Sequence, residues 1–261
     1  MKKSSVLSWL IILLAISYFI IPLLSTFEFS LRMLRGQYSF EAYRVVFAQA
    51  EFQNAFIRSI LLALATIVLS ILLVVPAAYL VRLRLPSWRS PVEFVTLLPL
   101  VIPAIIIVFG YIRMFNSSSW LPLTDSEWTT DLLLTFGYVV LALPYMYRSV
   151  DAGLRAIDVK TLTEAAQSLG ASGFTILWQV ILPNIRSGVL SGSFIAFAIV
   201  IGEFTFASLL NRPVFGTYLQ LIGANRAYEP SALAIVAFII TWACMGLLQL
   251  VGRSRGARPA R

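Results

Sequence analysis

The chain consists of long apolar stretches separated by shorter polar segments. A helix needs about 20 mainly apolar residues to cross the hydrocarbon of a bilayer. Six stretches meet this requirement, at 7–29, 56–81, 91–115, 131–150, 187–210 and 231–251. The pattern therefore predicts an all-α, polytopic membrane protein, in which residues 1–261 form one transmembrane domain with six membrane helices.

Prolines interrupt two of the six predicted spans. Pro91, Pro99 and Pro103 lie in the third span, and Pro144 lies in the fourth. Broken helices are tolerated in a bilayer where neighbouring helices or a polar cavity satisfy the freed carbonyl groups. The prolines have two possible interpretations. They indicate broken helices along a transport path, or they reflect only the higher frequency of proline in membrane helices.

Composition supports membrane insertion and excludes several kinds of active site. Hydrophobic residues make up 59% of the chain and charged residues 12%, against about 45–50% and about 25% in soluble domains. The sequence has no His, a single Cys (Cys244) and no Gly-Lys dipeptide. Ser-His triads, His-ligated zinc and a phosphate-binding P-loop are therefore excluded, and we predict no catalytic residue, metal or cofactor.

The distribution of basic residues predicts the orientation, because Lys and Arg concentrate in cytoplasmic loops. Lys2 and Lys3 precede an apolar stretch that is too long for a signal peptide, so we expect it to be retained as the first span. Both termini and the segment 151–186 would then be cytoplasmic. The cytoplasmic side would hold most of the basic residues: Lys2, Lys3, Arg82, Arg84, Arg89, Arg148, Arg155, Lys160, Arg186, Arg253, Arg255, Arg258 and Arg261. The excess positive charge is explained by anionic lipid headgroups and requires no nucleic acid.

The segment 151–186 is predicted to contain two short helices. Asp158 is a suitable N-cap for a helix over about 159–169, with Val159, Leu162, Ala166 and Leu169 at helical spacing on its apolar side. Gly170 suits the left-handed residue after a helix. Ser172 can cap a second helix over about 173–181, which Pro183 would end. The first helix is too short to span a bilayer, so we expect it to lie along the membrane face and present a side to a partner.

The same segment resembles the EAA loop of binding-protein-dependent ABC importer permeases. Glu164-Ala165-Ala166 is followed at the family spacing by Gly170 and by Ile181-Leu182-Pro183, with Val180 where the family has Ile. The resemblance implies the type I ABC importer permease fold and a coupling helix that docks on a separate ATPase. It assigns ATPase coupling to Glu164, Ala165, Ala166, Gly170, Leu182 and Pro183.

The resemblance also implies the partners and the cellular location. Expected partners are two ATP-binding cassette subunits on the cytoplasmic side, a second and homologous permease subunit, an external solute-binding protein and the lipid bilayer. ATP hydrolysis would belong to the partners, so the chain would not itself be an enzyme, and it would lie in the bacterial inner membrane. The alternatives are a self-contained channel or secondary carrier and an intramembrane enzyme; the sequence shows neither inverted repeats nor an acid–base cluster.

Glu203 is the ionisable residue that lies well inside a predicted span. Gly188, Gly192, Ala196 and Val200 precede it on one helix face, and small residues mark packing faces in membrane helices. We predict a substrate pathway at Glu203, Phe204 and Phe206, or alternatively a structural role for Glu203.

The closest resemblance is to spermidine/putrescine permeases, which implies a polyamine or similar cation as the substrate. The alternative substrate is iron(III), phosphonate or another small solute. Arg212, Arg226 and Tyr228 are predicted rim contacts for the solute-binding protein, or else solvated loop residues.

Overall fold

The structure is a computed structural model that describes the backbone of residues 2–253 and the side chains of residues 7–247 and 250. Arg255, Arg258 and Arg261 of the basic tail, and the side chains of Lys2 and Lys3, lie outside the described residues. The described part of the chain contains helices and no strand. The helices are α1 Lys2–Ser30, α2 Glu41–Phe47, α3 Ala50–Leu83, α4 Arg89–Val101, α5 Ala104–Phe115, α6 Glu127–Arg155, α7 Val159–Ser168, α8 Gly173–Asn184, α9 Arg186–Gly202, α10 Thr205–Leu209, α11 Phe215–Gly223 and α12 Tyr228–Arg253.

The helices confirm the all-α prediction, and most residues of each predicted span are helical. Four of them are long and apolar enough to cross a membrane as single helices: α1, α3, α6 and α12. The other two candidates are bent pairs, α4 with α5 at an angle of 98° and α8 with α9 at 80°. The described residues therefore contain four to six candidate spans, depending on whether each bent pair counts as one.

The prolines affect the helices differently from the sequence-based expectation. Pro144 does not interrupt α6, which is continuous from Glu127 to Arg155. Pro103 does end a helix, because α4 stops at Val101 and α5 begins at Ala104. Pro183 was expected to end α8, but this helix continues to Asn184 and turns only at Ile185. A proline inside a helix removes one backbone hydrogen bond, and neighbouring helices can compensate for this loss. The packing around each proline therefore decides whether the helix continues.

The chain divides into two compact units. Of the described residues, those up to Ala55 form the first unit together with Tyr218–Ile240, and Phe56–Thr217 form the second with those after Ile240. Within the first unit, the ring of Phe29 at the end of α1 stacks on Tyr228 with 4.9 Å between the centroids. The hydroxyl groups of Ser30 and Tyr43 are 2.8 Å apart, which joins α1 to α2.

In the second unit, α6 packs closely along α9. A Cβ added to Gly188 would lie 2.4 Å from the carbonyl oxygen of Ser149, and one added to Gly192 would lie 2.6 Å from the sulfur of Met146. Ala196 and Val200 continue this buried face. The predicted stripe of small residues is therefore confirmed as the surface on which α9 meets α6, because only small side chains let the two backbones approach so closely.

Candidate functional site

The helix α7 carries most of the residues that were predicted to couple to an ATPase. It spans Val159–Ser168, within one residue of the prediction, and Asp158 caps it by accepting a hydrogen bond from the Thr161 N–H at 3.1 Å. Hydrogen bonds from the Thr161 side chain and backbone hold the pKa of Asp158 below its usual value. Since a depressed pKa reflects a stabilised carboxylate, the cap is fully formed above the usual pKa of aspartate and is lost as the pH falls through the lowered value.

The end of α7 has the geometry of a glycine stop. Gly170 has a φ of +80°, which side-chain-bearing residues rarely adopt. Its N–H donates to the Gln167 carbonyl at 2.8 Å, and the Ala171 N–H donates to the Ala166 carbonyl at 3.0 Å. This pair of bonds is the Schellman motif. The next helix, α8, is capped by Ser172, whose hydroxyl accepts from the Thr175 N–H at 3.3 Å.

One face of α7 is fixed to the helices around it. Val159 and Thr163 are buried, and the Thr163 hydroxyl lies 3.1 Å from the hydroxyl of Tyr79 on α3. Apolar residues of α3, α6, α7 and α8, together with Ile185 after α8, form a common core: Val75, Ala78, Met146, Val150, Leu154, Val159, Ile176, Ile181 and Ile185. Close packing makes such a core resist deformation, so α7 and α8 are bound to the ends of α3 and α6 as one body.

The opposite face of α7 is open. Glu164 is largely exposed and lies 3.8 Å from Lys160, while Ala165 is exposed beside it. Leu169 was expected on the buried apolar side, but 88% of its surface is exposed, because it follows the last helical residue and points outward. Phe174 at the start of α8 is 75% exposed. Leu169, Gly170 and Phe174 are all exposed around the turn between α7 and α8, and we call these three residues the apolar tip. Neither Leu169 nor Phe174 was identified from the sequence as a functional candidate.

The remaining coupling candidates lie at the connection between α8 and α9. Leu182 is half-buried and packs on the shared core, whereas Pro183 is exposed. A π-helical turn over Ile176–Ile181 precedes them, and the chain bends by 80° after Asn184. Ala166 is half-buried against the same core. Glu164, Ala165 and Gly170 therefore share the exposed surface, while Ala166 and Leu182 contribute to internal packing.

Glu203 lies at a break in the predicted fifth span. The helix α9 ends at Gly202, and α10 begins at Thr205. The Glu203 carboxylate is 9% exposed and accepts hydrogen bonds from the N–H groups of Phe206 at 2.9 Å and Ala207 at 3.4 Å. The span is thus not the regular helix that was assumed, because the glutamate side chain caps a new helix start.

The two phenylalanines beside Glu203 have different environments. Phe206 is fully buried, and a Cβ added to Gly137 would lie 2.5 Å from its ring. The rings of Phe206 and Tyr111 meet edge to face at 5.9 Å. Phe204 is 36% exposed. In this conformation Phe206 packs between helices, whereas Phe204 is open to an approaching molecule.

An ion-pair network that the sequence did not predict joins α3, α6 and the segment after α10. Arg212, expected at an exposed rim, is 8% exposed in its side chain and donates to Asp131 at 2.7 Å and Glu127 at 3.1 Å. Arg58 lies 3.3 Å from Glu127 and 3.9 Å from Asp131. Arg226 forms a local pair with Glu229 at 3.4 Å. Arg212 therefore joins parts of one unit and is not free to contact a partner.

Comparisons with known proteins agree with this architecture. The chain is 32% identical to the molybdenum transport system permease protein ModB of Mycobacterium tuberculosis over 202 residues, covering 72% of this chain and 74% of the relative. It is 25% identical to the sulfate transport system permease protein CysW of Synechocystis, covering 83% and 79%. It is 28% identical to the spermidine/putrescine permease PotC of Escherichia coli, covering 47% of each chain.

The fold is also found in a solved structure. A bacterial alginate ABC transporter, in complex with a periplasmic protein carrying an alginate pentasaccharide, contains a chain that superposes with a TM-score of 0.73 at 15% identity, covering 99% of this chain and 98% of that one. The sequence profile of one family matches residues 56–253, which include every residue of the predicted coupling loop. The chain therefore belongs to the family of binding-protein-dependent transport system inner membrane components.

Proposed function

We propose that this permease subunit of an ABC importer receives the motion of its ATPase partner through α7 and the apolar tip. The observation that carries the proposal is that the short helix α7 has one buried face and one exposed face. One face is fixed in the core of the bundle, and the other exposes Glu164, Ala165 and the tip residues Leu169 and Phe174. Exposed apolar residues beside a charged rim are typical of a protein–protein contact.

The packing supports a mechanism of rigid transmission. Because α7 is joined to α3 by the Tyr79–Thr163 contact and to α6 and α8 by a common core, a force on the tip would move the ends of these helices together. The bend between α8 and α9 would carry the displacement into the helix that contains the Glu203 break. In this proposal the chain forms half of the translocation pathway, and a second, homologous permease forms the other half.

Co-purification from the native membrane tests the proposed partners. The full chain, extracted in mild detergent with an affinity tag, should retain an ATP-binding cassette subunit and a second permease in defined ratio. Vanadate-sensitive ATP hydrolysis should accompany this complex. A self-contained channel or carrier would purify alone and would show no associated ATPase, and that result would contradict the proposal.

Cysteine labelling tests the proposed cytoplasmic position of the tip. Leu169 is 88% exposed and Trp120, beyond the end of α5, is 98% exposed, so Leu169→Cys and Trp120→Cys, each in a Cys244→Ser background, offer one accessible thiol at each location. In cells that express this chain without its partners, a membrane-impermeant maleimide should label the Trp120 variant in intact cells and the Leu169 variant only in inverted vesicles. Labelling of the Leu169 variant in intact cells would exclude the proposed orientation.

Two substrate classes are candidates. The sequence resemblance favours a polyamine, and one of the relatives is a spermidine/putrescine permease. Sulfate or a similar small anion is the second candidate, because other relatives are sulfate and molybdenum permeases. The Glu203 carboxylate already accepts two backbone hydrogen bonds, so it is less available to attract a cation. Calorimetry of the companion binding protein against polyamines, sulfate and other oxyanions distinguishes the two classes directly.

Two substitutions of Glu203 separate substrate recognition from capping. Glu203→Gln removes the charge but keeps an oxygen that can accept from the Phe206 N–H, so a capping role predicts transport within about twofold of the native rate. Glu203→Leu removes the acceptor and should reduce the amount of folded protein, because a buried cap is worth about 1–2 kcal/mol. Uptake and thermal unfolding are the measurements. If Glu203→Gln abolishes uptake while the unfolding temperature is unchanged, Glu203 recognises a cationic solute.

A further inference from the structure

A cluster of arginines surrounds one buried carboxylate where α3, α4 and α6 end or begin. Asp151 on α6, with a side chain 11% exposed, accepts a hydrogen bond from Arg155 Nε at 2.8 Å. Its carboxylate oxygens lie 3.6 Å from Arg82 Nη1 and 3.6 Å from Arg89 Nη2. Glu93 on α4 accepts from Arg89 Nε at 2.9 Å and lies 3.6 Å from Arg155.

The cluster has more positive charge than its carboxylates can neutralise. Three arginines share Asp151 and Glu93, and at 3.6 Å the contact of Arg82 with Asp151 is longer than the charge-assisted hydrogen bonds of 2.7–2.9 Å that guanidinium groups normally form. The side chain of Arg82 makes no hydrogen bond within the described residues. Arg84 and Arg148 are exposed nearby and form no ion pair within that part of the chain. Guanidinium donors therefore remain available to an anion.

Two cavities open onto this cluster. The first has a volume of about 260 Å³ and is lined by Ala78, Val81, Arg82, Pro86, Arg89, Tyr147 and Asp151. The second, of about 300 Å³, is lined by Glu93, Thr96, Leu97, Tyr147, Arg148, Asp151, Ala152 and Arg155. Tyr147 and Asp151 belong to both linings, so the two cavities are neighbours on either side of the buried carboxylate.

Large apolar side chains adjoin the cluster and remain exposed. Leu85 is 46% exposed, Trp88 59% and Phe94 66%, and they alternate along the chain with Arg84, Arg89 and Glu93. The cluster lies where two candidate spans, α3 and α6, end. Tryptophan beside basic residues at the end of membrane helices is typical of the level of the lipid headgroups.

We propose that these neighbouring cavities hold the headgroup of one anionic phospholipid, with Arg82 and Arg89 contacting it from the first cavity and Arg148 from the second. The exposed surface at Trp88 and Phe94 would contact the acyl chains. Basic pockets between membrane helices suit anionic headgroups. A soluble phosphate would use the arginines but not the adjoining apolar surface, so the juxtaposition of both favours a lipid. The assignment requires only that the chain is inserted in a membrane and does not depend on coupling to an ATPase.

Titration of the delipidated full-length chain with phospholipids, followed by native mass spectrometry, tests the proposal. The native protein should bind phosphatidylglycerol but not phosphatidylcholine. Since an arginine near the membrane surface contributes a factor of about five in affinity for anionic lipid, Arg82→Gln combined with Arg89→Gln should weaken phosphatidylglycerol binding about 25-fold. Arg148→Gln, which breaks no ion pair, should weaken it about fivefold even if the double variant does not fold.

Arg113→Gln is the matched control, because Arg113 is an exposed arginine in the last turn of α5, and its affinity should equal that of the native protein. Equal binding of the two lipids, or native affinity in Arg148→Gln, would overturn the assignment. Displacement of phosphatidylglycerol by millimolar inorganic phosphate would identify a soluble-anion site and would also overturn it. All these outcomes are measured without an ATPase, so they leave the proposed coupling function untouched.

Discussion

Replacing Leu169 and Phe174 together with aspartate should weaken binding of the ATPase subunit about 30-fold and reduce transport-coupled ATP hydrolysis to a similar extent. If each of the two apolar contacts contributes about 1 kcal/mol to binding, their combined loss of about 2 kcal/mol corresponds to a change of about 30-fold in affinity. Both side chains are largely exposed in the isolated chain, so their replacement should leave the fold intact. Binding is measured with the purified ATPase, and hydrolysis is measured in proteoliposomes with the loaded solute-binding protein.

Trp120→Asp provides the control for this pair of substitutions. Trp120 is 98% exposed and apolar, but it lies beyond α5, away from the apolar tip, and its replacement should not change ATPase binding. Glu164→Ala should have a smaller effect than the double variant, because an exposed charge at a rim contributes less than an apolar anchor. Native affinity for the ATPase in the Leu169→Asp, Phe174→Asp variant would exclude the tip as the docking surface.

Gly188→Leu should prevent the chain from folding stably. A Cβ at this position would lie 2.4 Å from the carbonyl oxygen of Ser149 and 3.3 Å from Cα of Gly153. Both are backbone atoms of α6, so they cannot move away as a flexible side chain would, and α9 would have to separate from α6. Overpacking of this kind costs roughly 3 kcal/mol. The expected result is a marked loss of folded protein, measured by size-exclusion chromatography in detergent and by thermal unfolding.

Gly202→Leu is the matched substitution on the same helix. Nothing lies within 4 Å of a Cβ added to Gly202, and the residue is exposed. The Gly202 variant should therefore retain the native unfolding temperature within the measurement error. If the two variants were equally stable, α9 would not pack on α6 through Gly188, and the helix arrangement described above would be wrong.

The helices of the coupling segment were predictable because their signals are local. Asp158 and Ser172 cap the helices that they were predicted to cap, and Gly170 adopts the left-handed conformation. Each of these features depends on the backbone within about four residues. The role of the segment in coupling stays a prediction, since a cap signal gives the start of a helix but not its partner.

The helix breaks were less predictable, because several prolines occur and only packing distinguishes them. Pro144 lies inside a continuous helix, whereas the chain turns by 98° at Pro103. No proline lies at the break between Gly202 and Thr205, where the carboxylate of Glu203 replaces the missing helical partners. This break depends on the conformation of the Glu203 side chain, and the hydropathy of the sequence contains no information about that conformation.

Hydrophobicity and local spacing by themselves determined the class of the protein, its apolar spans, the caps of α7 and α8, and the face on which α9 packs. These properties follow from the solvent and from neighbours within one helical turn. Only the tertiary structure decided that Arg212 pairs with Asp131, 81 residues away, that Leu169 points outward, and that arginines from α3, α4 and α6 meet at Asp151. Contacts between residues distant in sequence depend on how the helices pack, and the packing is the sum of many interactions that no single stretch of sequence contains.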